Sequence, residues 1–137
     1  MILYNKINEQ LPEWRERVTT LLQENGDKVA GEVTIGQIYG GMRGVKALVT
    51  DISYVDPNEG IRYRGHTLPD VVKELPKPEG AEMPYVGGLY YLLMTGDFPS
   101  EKQALEIEAD WATRSHVPSH LFKVLRDMPE DTHPMAL

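Results

Sequence analysis

The 137 residues contain no cysteine, which excludes disulfides, thiolate metal sites and a cysteine nucleophile. Positive charge is also short. Lys and Arg total 14 against 21 Asp and Glu, a formal net charge of −7. A general nucleic-acid binder needs surplus cations for the phosphates, and so does a protein that adheres to an anionic membrane, so neither partner is expected. A local basic pocket for one anionic ligand is still compatible with that balance. No apolar run approaches the ~20 residues that span a bilayer. The opening MILYNKINEQ lacks both the charged-then-apolar order of a secretory signal and an Arg-rich, acid-poor transit pattern, so a cytoplasmic protein is expected. Aromatic residues are 8% and hydrophobic residues 41% of the chain, somewhat low for a self-sufficient globule but too high for disorder. There is no internal repeat and no low-complexity tract.

What is abundant is punctuation. Twelve Gly and ten Pro divide the chain into several short elements. The first is a predicted helix over residues 11–25, with Pro12 at the first helical position, an apolar stripe of Trp14, Val18, Leu21 and Leu22, and Gly26 as terminator. Val29, Val33 and Ile35 favour short extended pieces. Gly40, Gly41 and Gly44 then form a flexible turn that carries Arg43. Residues 46–55 read as a strand through Val49, Thr50, Ile52 and Val55. The run Asp56-Pro57-Asn58-Glu59-Gly60 is a strong turn signal, and residues 61–64 return as a second strand, a hairpin with a five-residue loop. Period-two alternation puts Ile61 and Tyr63 on one side and Arg62 and Arg64 on the other.

The remainder reads as helical. Thr67 caps a short helix to about residue 75; residues 86–95 form a nearly all-apolar, buried helix closed by Gly96. Ser100 with Gln103 has capping-box spacing and opens a helix to about residue 115. Pro118 opens another, striped by Leu121, Phe122 and Leu125, to about residue 127. Thr132, His133 and Pro134 form one more start signal, after which only a few residues follow, fewer than the ~12 an isolated helix needs. The pattern predicts a chain that is the front part of something longer, a frayed tail being the alternative. The fold class is mainly α, a helical bundle with one small β-hairpin over about residues 46–64.

The residues alone offer no convincing catalytic set. His116 and His120 have the i, i+4 spacing of a helical metal pair, but Pro118 stands between them and no acidic residue accompanies them as in HExxH, so no metal site is expected. His66 and His133 lack partners of catalytic type. No G-x-S-x-G elbow occurs. Gly40-Gly41-Met42-Arg43-Gly44 is neither a Walker loop nor G-x-G-x-x-G. It is either a structural turn or a phosphate cradle, since it sets backbone N–H groups beside a guanidinium. Turn chemistry accounts for Asp56 beside Glu59. Arg62 and Arg64 read as a solvated face, and Tyr90, Tyr91, Leu92 and Leu93 as core.

The segments Tyr39-Gly-Gly-Met-Arg-Gly44, Asp56-Pro-Asn-Glu-Gly-Ile-Arg-Tyr-Arg-Gly65, Gly88-Leu-Tyr-Tyr-Leu-Leu-Met-Thr-Gly96 with Phe98-Pro99-Ser100, Val117-Pro-Ser-His120 and Thr132-His-Pro-Met135 resemble, in order and spacing, the N-terminal part of the citrate synthase family. The resemblance runs from about residue 26 to the end. It implies that residues 1–137 are part of the large helical domain of a homodimeric enzyme, with no second domain within the chain. That enzyme condenses acetyl-CoA with oxaloacetate to give citrate and CoA, with CoA as cosubstrate and no permanently bound cofactor. The catalytic Asp and His motifs of the family do not occur in this sequence, so the resemblance implies no catalytic residue here and no activity for the chain alone. One residue carries over: Arg43 is similar to the family Arg that meets phosphate groups of CoA across the dimer interface, where a planar fork suits phosphate oxygens. Two other functions fit the same residues, a non-catalytic CoA-binding module that uses Arg43 and a chain that associates with a full-length synthase.

Overall fold

A computed structural model describes residues 2–45, 48–133 and 135. Among these the chain forms six helices and one three-stranded sheet. Helix α1 spans Ile2–Asn25, so it begins well before the expected residue 11 and carries Pro12 inside it. An internal Pro removes one backbone bond and costs about 3 kcal/mol. The extra turns are held by tertiary contacts that local propensity does not see. Ile2, Leu3 and Ile7 line a groove of about 590 Å³ with Tyr90, Met94 and Trp111. Lys6 Nζ meets Asp97 Oδ2 at 3.0 Å, and Gln10 Nε2 donates to the Thr95 carbonyl at 3.1 Å.

The Gly-rich stretch contains a five-residue helix, α2 (Ile35–Tyr39), where an extended piece was expected at Ile35. Thr34 and Gln37 form a reciprocal capping box there. The strand expected from residue 46 is only β1 (Ser53–Asp56). Lys46 and Ala47 lie outside the described residues. Residues 48–50 have no strand partner and are exposed, Val49 almost completely, and β-branched residues hold a strand only against a neighbour.

Strand β2 (Gly60–Tyr63) pairs antiparallel with β1, with Asp56 opposite Gly60, so the hairpin loop has three residues rather than five. Gly60 occupies φ +87°, which the turn requires. The chain then reverses again at Arg64 (φ +49°) and Gly65 (φ +85°) into β3 (His66–Thr67), a third strand the sequence did not suggest.

The helices from residue 68 onward follow their caps. Helix α3 (Leu68–Glu74) starts at Thr67, whose hydroxyl accepts from Asp70 N. Helix α4 (Val86–Thr95) ends at Gly96 with φ +82°. Helix α5 (Glu101–Arg114) starts at the Ser100/Gln103 capping box, and α6 (Ser119–Arg126) follows Pro118. The start signal at Pro134 and the residues after Met135 lie outside the described residues.

The core is small. Val71 and Leu75 of α3 close on Leu92 of α4, with Tyr63, Leu89 and Phe98 packed around them. Tyr91, Ala104 and Ile107 are buried as well. Helix α4 is less enclosed than its apolar sequence suggests, since Tyr90 and Met94 remain partly exposed and Tyr90 stands edge-on to Trp111 at 5.3 Å. The stripe Leu121, Phe122 and Leu125 of α6 is exposed. The accessible surface is 11501 Å², against about 7,200 Å² for a self-contained monomer of this mass. The chain therefore leaves much apolar surface uncovered.

Candidate anion-binding loop

Arg43 sits on the exposed loop that follows α2. The loop is built by its own backbone: Met42 N donates to Gln37 O at 2.7 Å and Val45 N to Met42 O at 3.1 Å. The Gln37 amide lies 3.5 Å from the Arg43 carbonyl. Gly41 and Gly44 take φ +79° and +76°, and Met42 between them takes +60°, unusual for a side chain with a Cβ. This fold-back leaves the Arg43 guanidinium with no hydrogen-bond or ion-pair partner among the described residues. An unpaired guanidinium beside turned backbone N–H groups is suited to phosphate oxygens, which it can contact in pairs.

The other two arginines singled out are already engaged, and the solvated-face reading of Arg64 is corrected. Arg62 forks onto Glu59 and donates to the Gly65 carbonyl. That carboxylate raises the Arg62 pKa. Arg64, turned out of the strand alternation by its positive φ, donates from Nε and Nη2 to the Leu93 carbonyl at 2.9 and 2.7 Å. Its Nη1 meets Asp51 Oδ1 at 2.8 Å. Arg64 thus serves a carbonyl in the last turn of α4, where intrahelical donors run out. The structure records no contact that joins Arg43, Arg62 and Arg64 into one cluster.

Asp56 is a turn residue. Its Oδ1 accepts from Glu59 N at 2.9 Å and Asn58 N at 2.8 Å, and these two bonds, in that order of effect, hold its carboxyl below the ordinary 3.8. A depressed carboxylate stabilises the folded turn fully above 3.8 and loses that contribution as pH falls through the lower folded value. In an NMR titration, the Asn58 and Glu59 amide shifts should therefore move with a midpoint below 3.8; a midpoint above it would contradict the geometry.

The histidines are dispersed. His66 stands edge-on to Phe98 at 4.9 Å, His116 lies in the α5–α6 link, and His120 is in α6. His133 Nδ1 accepts from Met135 N. No group of three metal-ligating side chains occurs among the described residues. Three working residues escaped the sequence reading: Lys6, Gln10 and Arg64. All three act on the end of α4 or its following loop, from far away in sequence.

A mainly helical chain with a small antiparallel sheet and a Gly-flanked arginine loop is the class of protein this geometry defines. The family description "Citrate synthase, C-terminal domain" matches residues 41–137, beginning within that loop. The chain belongs to the citrate synthase family.

Among curated relatives it is 44% identical over 134 residues to "Citrate synthase, mitochondrial" of Saccharomyces cerevisiae, covering 98% of this chain and 28% of that protein. It is 44% identical to "2-methylcitrate synthase, mitochondrial" of Yarrowia lipolytica, with 98% and 29% covered. It is 45% identical to "Citrate synthase, mitochondrial" of Neurospora crassa, again with 98% and 29% covered. The chain spans less than a third of the length of these relatives. Their names place them in mitochondria, which does not fit the expected cytoplasmic location. No helix of the described residues is long and apolar enough to cross a membrane.

Proposed function

We propose that this chain works as the N-terminal part of the large helical domain of a homodimeric citrate synthase, which joins acetyl-CoA to oxaloacetate and releases citrate and CoA. Within it Arg43 contacts a phosphate group of CoA. No permanently bound cofactor is part of this reading. The observation that supports it is the loop itself: an exposed guanidinium without a partner among the described residues, set on a left-handed backbone that points successive amides outward. The enzyme supplies its proton-transfer groups from outside these residues, so the chain alone turns nothing over.

Calorimetry with CoA tests the role of Arg43. A lost charge-assisted bond is worth about 1.5–3 kcal/mol, so Arg43→Ala should weaken binding at least ~10-fold. Equal affinity of both forms removes Arg43 from the site. CoA release from acetyl-CoA and oxaloacetate by the chain alone would overturn the assignment of chemistry to other residues. Cytoplasmic and mitochondrial locations of the whole enzyme are separated by fractionating source cells.

A further inference from the structure

We propose that Arg64 is a positioning residue for the arm that carries Arg43. The arm is residues 26–52. Its described hydrogen bonds up to residue 45 are local: Ile38 N to Thr34 O, Gly40 N to Gly36 O, Met42 N to Gln37 O, Val45 N to Met42 O. None of its described residues is buried; every fully buried side chain lies between Val71 and Ile107. The arm's recorded bonds to the rest of the fold occur at its far end, and both go to one residue. Arg64 N donates to the Ile52 carbonyl at 2.9 Å, and Arg64 Nη1 meets Asp51 Oδ1 at 2.8 Å.

Arg64 can serve as a latch because its other donors are fixed elsewhere. Nε and Nη2 both hold the Leu93 carbonyl of α4, and the side chain is only 15% exposed. The Asp51 carboxylate is by contrast 76% exposed and belongs to the arm. One planar guanidinium therefore joins the end of a core helix to the point where the arm leaves the sheet. Arginine suits this role and lysine does not, since a rigid fork can address two acceptors in fixed directions. The φ of +49° at Arg64 aims the side chain off the strand's alternation and toward both. The consequence is that the direction in which Arg43 is presented depends on a bond made 21 residues later in sequence.

The proposal rests on the reading of Arg43 as an anion contact, and its test is kept separate from ligand binding. The chain has no cysteine, so a spin-label pair can be placed cleanly with Tyr39→Cys on the arm and Lys102→Cys on α5. Both positions are exposed. Pulsed electron-spin distances are then compared without CoA in this background, with Asp51→Asn and with Arg64→Gln. Asp51→Asn removes only the exposed half of the latch and leaves the core bonds in place. An exposed pair shifts an equilibrium by about fivefold at most, so Asp51→Asn should raise the released fraction two- to fivefold, roughly, and Arg64→Gln further. Distances as narrow in both variants as in the parent overturn the latch, and so does a parent distribution already as broad as theirs. A latch that holds while CoA ignores Arg43→Ala overturns the CoA reading alone.

Discussion

Replacing Leu92 by Ala should cost about 2–5 kcal/mol, the range for emptying a well-packed leucine site. Leu92 has no exposed surface and sits where α4 meets Val71 and Leu75 of α3, with Tyr63 of β2 and Phe98 closing the sides. Three elements converge on this one side chain, so its removal leaves a cavity that none can fill without losing contact with the others. Domains are stable by only about 5–15 kcal/mol in total. This chain should lie toward the low end, because its surface exceeds that of a self-contained monomer of its mass by over half. The urea midpoint of Leu92→Ala should fall sharply with the slope unchanged. The half-exposed Leu121 of α6 gives the comparison: Leu121→Ala should move the midpoint little. A loss below about 1 kcal/mol at Leu92 would mean that the core is held elsewhere.

Helices α3 to α6 were legible in the sequence because their determinants are local. Thr67, Ser100 with Gln103, Gly96 and Pro118 each sit at the boundary their chemistry predicts. The errors fall where a distant partner overrides a local signal. Pro12 is a good helix start, yet the turns before it are retained because Lys6 and Gln10 reach Asp97 and Thr95. Residues 48–50 have strand composition but no strand to pair with. The Thr34/Gln37 capping box was readable as a Thr-x-x-Gln signal; the β-branched residues and glycines around it drew the reading toward extended chain.

The candidate site divides the same way. The Gly pattern around Arg43 and its resemblance to a family motif were both visible in the sequence, and together they single out the residue. The role of Arg64 was not visible. Alternation along a strand assigns it to the Arg62 face, and only a positive φ, rare for a residue with a Cβ, redirects it to a carbonyl 29 residues away. Asp56 was correctly read as a turn residue because its acceptors' partners, Asn58 and Glu59, are its immediate neighbours.

Gly87→Ala provides the sharpest test of how α4 meets α5, because propensity and packing predict opposite signs. In a helix, Ala is favoured over Gly by about 1 kcal/mol. A Cβ at position 87, however, would lie 2.5 Å from the Ala104 carbonyl oxygen, 3.0 Å from Glu108 Cγ and 3.3 Å from Ile107 Cβ. The first of these is backbone and cannot rotate away, so the helices must separate. Separation also stretches the bond from Gly87 N to Glu108 Oε1, 3.1 Å, which serves a first-turn amide with no partner inside α4. Overpacking costs of about 1–3 kcal/mol or more should win, giving a net loss of roughly 2 kcal/mol in urea unfolding. The adjacent Gly88 separates the two effects. A Cβ there meets Ala104 Cβ at 3.5 Å, Leu75 Cδ2 at 3.6 Å and Pro76 Cδ at 3.7 Å, all ordinary contacts. Gly88→Ala should therefore be neutral or slightly stabilising. If both substitutions stabilise the chain, propensity governs the α4–α5 contact and the close approach at residue 87 is not a feature of the folded protein.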